Sequence, residues 1–209
     1  MKIHHVTQSI CEIQTELLAL FAVDRSTGQA KDAKPQVRCL ADDAALSDAV
    51  ATVLAGGEFK AEPNETLLLH TPAGLQTKRL LIVGMGKAAK LTPHDVRKGA
   101  GVAVRFAKPR GLREIAIAMP VAENLDPKLT ARAVAEGALL ADFDSDTYRS
   151  DRKDRSVEAV QVIPAPGADQ AAAEAGLREG VILAESQNFT RAMVNEPGNR
   201  LTPTIFGEP

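Results

Sequence analysis

Val83-Gly-Met-Gly86-Lys87 is the first stretch of this 209-residue chain whose residue types suit chemistry. A buried strand running into paired glycines and a lysine has the outline of a phosphate-binding turn. Gly84 and Gly86 would let an anion approach the backbone, and Lys87 would supply charge. The third glycine of a dinucleotide fingerprint and the spacing of a Walker loop are both missing. A structural tight turn therefore outweighs a ligand site. Asp142-Phe-Asp144-Ser-Asp146 imitates the opening of a calcium loop, but Thr147 and Lys153 stand where that loop needs glycine and glutamate. His4, His5, His70 and His94 lack metal-ligand spacing, and no Gly-x-Ser-x-Gly nucleophile motif occurs. Lys87, Lys90, Arg97, Lys98, Arg105, Lys108, Arg110 and Arg113 form a locally basic stretch, read here as a solvated helix face.

Composition bounds the rest. Net charge is −2 from 25 basic and 27 acidic residues, which gives no general pull toward nucleic acid or an anionic membrane. Hydrophobic content of 44% supports a sizeable core, but aromatic content is only 3%, so Ala, Val, Leu and Ile must fill it. Cys11 and Cys39 have no paired spacing and read as reduced thiols. The N-terminus lacks the apolar core of a signal peptide, and no apolar run is long enough to span a membrane. Cytoplasm is the expected location.

The elements that would position these residues follow from periodicity. Strands are expected at Met1 to Val6, Glu16 to Val23, Glu65 to His70, Arg79 to Val83, Glu114 to Met119 and Val157 to Ile163. The continuous apolar run ending at Val23 suits a strand buried on both faces. Asp24 to Pro35, with Gly28, reads as a loop, and Asp142 to Arg155 as a solvated loop. Helices are expected over Asp42 to Ala55, from Thr92-Pro93 to Pro109, from Asp126-Pro127 to about Ala141, and from about Ala168 to Val194. The alternation indicates an α/β fold: a mixed, largely parallel sheet flanked by helices on both faces, followed by a C-terminal linker helix. Residues 1–165 would form the domain, and residues 166–209 the linker helix and junction.

After the long helix comes Asn195-Glu-Pro197-Gly-Asn199-Arg-Leu201-Thr202-Pro203. Two prolines forbid helix, and Gly198 and the asparagines suit turns. Thr202-Pro203 then starts a new helix. Asn195, Pro197, Asn199, Leu201, Thr202 and Pro203 thus mark a turn between two helices, and the chain reads as the front part of a longer protein.

This segment resembles the junction between the two domains of the leucyl aminopeptidases, peptidase family M17, which implies that these six residues form an interdomain junction. Val83-Gly-Met-Gly-Lys87, Arg97-Lys-Gly-Ala-Gly101, Glu136-Gly137, Phe143-Asp144 and Tyr148-Arg149-Ser150 resemble further family segments in the same order, with Arg149 in place of lysine. The resemblance covers about the whole chain, as the family's N-terminal domain only. It implies a fold related to macro domains and an intact enzyme that releases N-terminal amino acids from peptides. It also implies two divalent metal ions, zinc or manganese, a C-terminal catalytic domain and a hexamer. The metal-ligand segments of that domain do not occur here, so no catalytic or metal-binding residue and no cofactor of this chain's own is expected. The domain would support oligomer assembly and access to the active site. The alternative reading is a module binding a phosphate-bearing nucleotide of the ADP-ribose type, at Gly84, Gly86 and Lys87. DNA binding through the basic stretch is a weaker one.

Overall fold

Eight consecutive buried positions, Leu17–Asp24, form β2 at the centre of a seven-stranded sheet. Such a run has no wet face, so it demands cover on both sides. The computed structural model describes residues 1–26, 35–41, 43–151 and 153–207. The expected loop around Gly28 and helix start at Asp42, like Glu208 and Pro209, lie outside the described residues.

β2 pairs in parallel with β5 (Arg79–Lys87) on one side and β6 (Glu114–Ala118) on the other. Leu18 faces Leu80, and Leu17 faces Ile115 across the ladders. β6 continues in parallel to β7 (Ala159–Ile163), and β7 to β1 (Lys2–His5). β4 (Thr66–His70) closes the other edge antiparallel to β5. Where β6 leaves the side of β2, the short β3 (Val37–Cys39) takes over, antiparallel. The sheet is mixed and mostly parallel, as the alternation predicts.

The period-two alternation of strands sorts the core into two layers. Leu17, Ala19, Phe21 and Val23 of β2 face α2 (Pro93–Ala107), α3 (Pro127–Asp142) and α4 (Gln170–Asn195). Leu18, Leu20 and Ala22 face Leu46 and Val50 of α1 (Ala44–Ala55), with Phe59 and Ala61 beside them. Phe21 is the one aromatic side chain among the largest fully buried residues. Its ring fits because position 99 is glycine, where a Cβ would lie 2.7 Å from the ring edge.

Helix starts follow their local chemistry. Thr92 and Asp95 form a capping box ahead of α2, with Pro93 at its first position. Asp126 caps α3 and Asp169 caps α4 through their side chains. Close packing then depends on glycine. A Cβ on Gly137 of α3 would sit 2.0 Å from the Arg97 carbonyl oxygen of α2. Gly176 and Gly180 of α4 would meet the Lys128 and Arg132 carbonyls of α3 at 2.1 and 2.5 Å. The first half of α4 is therefore built into the domain, with Ala173, Leu177 and Ala184 buried. The buried positions of α4 end at Ala184, although the stretch read as linker helix begins at residue 166.

Three local expectations change. Strand β5 does not stop at Val83 but runs to Lys87, so Gly84 to Gly86 is ladder and not a turn. Lys108, read as part of a solvated face, is 4% exposed. The loop after Asp142, read as solvated, is anchored at its start, because Asp142 and Asp144 pair with that lysine.

Candidate functional site

The junction is assembled where α3 ends. The last carbonyls of a helix have no partner within it and must find one elsewhere. Here side chains from other elements supply the donors. Asn188 Nδ2 donates to Leu139 O at 3.1 Å, and Arg191 Nη1 donates to Leu140 O at 2.9 Å. Lys108 Nζ donates to Asp142 O at 2.5 Å and pairs with Asp144 Oδ2 at 2.7 Å. Cations at a helix C-terminus also suit its dipole. Two residues of α4 thereby tie its exposed half to α3, and the Arg191 guanidinium lies 4.2 Å from the centre of the Phe143 ring.

The loop after Phe143 then clasps the junction itself. The Tyr148 hydroxyl donates to Glu196 Oε2. Arg200 Nη1 donates to the Tyr148 oxygen at 3.4 Å, with its guanidinium 5.0 Å from the ring centre. Asn195 is the last residue of α4. Pro197 O accepts from Arg200 N and Leu201 N at 2.8 and 3.1 Å, which turns the chain. Thr202 Oγ1 accepts from Ile205 N at 3.3 Å and opens α5 (Pro203–Gly207) with Pro203 at its first position. Leu201 and Thr202 are half-buried, and Asn199 and Pro203 are exposed. The six junction positions thus lie in one continuous turn between two helices.

Beyond this clasp several large apolar side chains are exposed. Ile182, Phe189 and Val194 on α4 are 64%, 68% and 80% exposed, and Ile205 and Phe206 on α5 are 50% and 63% exposed. Ile182 and Phe189 lie seven residues apart, two helical turns along one face. Large apolar side chains left this exposed are available for contact with another surface.

Gly84, Gly86 and Lys87 come together, but their donors are engaged within the fold. Gly84 N donates to Glu65 O and Gly86 N to Ala61 O, both at 2.7 Å. A Cβ at position 84 would lie 2.2 Å from the Glu62 carbonyl oxygen, so glycine is needed for the crossing segment. Lys87 Nζ is 2.6 Å from Asp24 Oδ2 and 2.7 Å from Ser26 Oγ. Burial alone would raise the Asp24 carboxyl. Hydrogen bonds from Lys87, Ser26 and Gln36 favour its carboxylate and hold it well below the usual range. These residues brace β5 against the end of β2, and this engagement explains them without a phosphate.

The basic stretch is likewise largely paired. Arg97 meets Glu136, Arg105 meets Asp144, and Arg113 donates to the Ser156 and Asp154 carbonyls. Cys39 is isolated, and burial pushes its thiol up to about 11. His4 and His5 fall on alternate faces of β1, and His5 Nδ1 lies 3.4 Å from Glu174. Among the described residues, no group of three or more His, Cys, Asp or Glu side chains could hold a metal ion. The divalent ions implied by the resemblance therefore do not fit the residues described here. No helix among the described residues is long and apolar enough to cross a membrane. Sequence reasoning missed the roles of Lys108, Asn188 and Arg191, because only the tertiary fold brings them to the end of α3.

Comparison with known proteins agrees with this architecture. Residues 23–152 match the model of the cytosol aminopeptidase family, N-terminal domain. The protein named "Probable cytosol aminopeptidase" of Acidobacterium capsulatum is 53% identical over 214 residues, covering 100% of this chain and 42% of that protein. Its namesake in Koribacter versatilis is 37% identical over 225 residues, covering 100% of this chain and 43% of that protein. Among solved structures, a tomato leucine aminopeptidase variant shares the fold at a TM-score of 0.75 and 20% identity, over 99% of this chain and 40% of that one. The bottromycin maturation enzyme BotP, solved in complex with Mn, superposes at 0.63 with 26% identity, over 92% of this chain and 34% of that one. The chain spans less than half the length of the relatives it matches. Family match, relatives and sheet topology converge: this chain belongs to the cytosol aminopeptidase family and corresponds to its N-terminal domain.

Proposed function

We propose that this domain is the non-catalytic partner of a C-terminal metallopeptidase domain. It would seat that domain on the apolar face that runs from the end of α4 across the clasped junction to α5. The observation that carries this reading is the exposure of Phe189, Val194, Ile205 and Phe206 on either side of a turn pinned by Tyr148. The greater length of the relatives supports it as well. On this reading the intact enzyme releases N-terminal amino acids from peptides with two divalent metal ions, zinc or manganese, held outside residues 1–209. It assembles as a hexamer in the cytoplasm, and the N-terminal domains help arrange subunits and shape access to the active sites. The name "cytosol aminopeptidase" shared by the relatives supports the location. The functional division falls within α4, with residues 1–184 as the domain body and residues 185–203 as the connection.

The test compares the full-length protein with the chain ending at residue 209, on leucine p-nitroanilide with manganese or zinc. Metal-dependent hydrolysis by the full-length protein and none by the shorter chain is expected. Hydrolysis by the shorter chain would overturn the assignment.

A further inference from the structure

We propose that the cleft between α2 and α3 binds a small doubly charged oxyanion, either a phosphate or a dicarboxylate. The cleft encloses about 300 Å³ and lies apart from the junction. That volume sits at the lower end of ligand-sized pockets. His94 and Arg97 of α2 line one wall, and Arg132 and Glu136 of α3 the other, with Leu129 and Ala133 beside them.

The charges do not cancel. Glu136 has an 11% exposed side chain and accepts from Arg132 Nε at 2.7 Å and from Arg97 Nη1 at 3.4 Å. One carboxylate thus serves two guanidiniums, and the cluster keeps one excess positive charge in a concave surface. A brace between two helices needs only one guanidinium per carboxylate. Arg97 Nη2 lies 3.2 Å from His94 Nδ1. A guanidinium can only donate, so His94 Nδ1 accepts and its Nε2 carries the proton. Among the described residues the two terminal nitrogens of Arg132 meet no protein acceptor, and the side chain is 41% exposed. On these lining residues the outer edge of Arg132, the Nε of Arg97 and the Nε2 of His94 are therefore the donors left for a ligand. A guanidinium edge matches the paired oxygens of phosphate or carboxylate. Leu129, 43% exposed, adds apolar surface for the carbon part of such a ligand. The walls are also fixed in spacing, because Gly137 holds α3 against the Arg97 carbonyl of α2. Such a site pays little to organise on binding.

The test is calorimetric titration of the full-length protein with inorganic phosphate and, separately, with succinate, at constant ionic strength in chloride. Saturable binding of at least one is expected, and the stronger of the two identifies the ligand chemistry. Arg132→Gln and Arg132→Lys should each weaken binding at least tenfold, the lysine because it keeps the charge but loses the fork. Thermal unfolding checks the same point without a folded variant. An anion at ten times its Kd should raise the midpoint of the 209-residue chain by roughly 3–6 °C. Absence of binding by both anions would overturn the proposal. So would binding that both variants retain at wild-type affinity, since the anion would then sit elsewhere.

Discussion

Removing the Lys108 ammonium would leave the Asp142 carbonyl and two carboxylates facing each other at the end of α3. Lys108 is 4% exposed and holds Asp142 Oδ1 at 3.3 Å and Asp144 Oδ2 at 2.7 Å. Breaking one partner of a buried ion cluster costs about 3–5 kcal/mol, because the remaining charge stays buried without compensation. Lys108→Ala should lower the unfolding free energy by about 3 kcal/mol in urea, at the low end because Asp144 is partly solvated. A loss below about 1 kcal/mol would mean that water replaces the ammonium. Asp24 gives a pH signature. Its folded carboxyl is held below the ordinary value. Its stabilising contribution is therefore complete above about pH 4, the unfolded value, and is lost as pH falls from there toward the folded value. Asp24→Asn should reduce stability at pH 7 and flatten the decline in urea midpoint below pH 4. An unchanged acid slope would exclude this carboxylate as its source. Neither role is legible from residue type, because Lys108 and Asp24 read in sequence as an ordinary surface lysine and a loop acid.

Strand and helix positions are set by local pattern and survive tertiary packing. The apolar octet of β2, the Thr92-Pro93 start of α2 and the Asp126-Pro127 start of α3 all appear where periodicity and capping put them. β3, which no pattern predicts, and β5 depart from this. Glycines usually end a strand, but here Gly84 and Gly86 continue it, because the 61–65 segment crosses above them and takes their amides. The helix layer carries the sharper prediction. Gly137→Ala puts a methyl 2.0 Å from the Arg97 carbonyl, a backbone atom that cannot move alone. It should cost about 1–3 kcal/mol or more through separation of α2 from α3. Gly198→Ala in the junction meets nothing within 4 Å and should change stability by less than about 0.5 kcal/mol. Thermal unfolding of the two variants side by side checks the contrast. Equal effects would mean that helix spacing tolerates the extra carbon.

At the scale of the molecule, the far end of α4 and α5 leave Phe189, Val194, Ile205 and Phe206 exposed. Phe189→Ser combined with Phe206→Ser should leave the thermal midpoint of the 209-residue chain within about 2 °C, since both side chains are more than half exposed. The same pair should loosen domain docking in the full-length protein, read as faster limited proteolysis within residues 185–209. A large fall in midpoint for the short chain would place these rings inside its own fold instead.

The α/β class, the order of elements and the junction turn are legible in the linear chain, because periodicity, capping residues, prolines and glycines act over a few neighbours. The family membership is legible too, since the segments that resemble the family's are short local strings, and the family match covers residues 23–152. The three-dimensional arrangement decides what those motifs do. Gly99 exists for the Phe21 ring, Gly137 for the Arg97 carbonyl, and Lys87 for Asp24, each partner lying 40 or more residues away along the chain. Arg191 serves the end of α3, across 51 residues. Such pairings arise only when helices and strands pack, and no short-range pattern encodes which carbonyl or carboxylate will be left needing a partner.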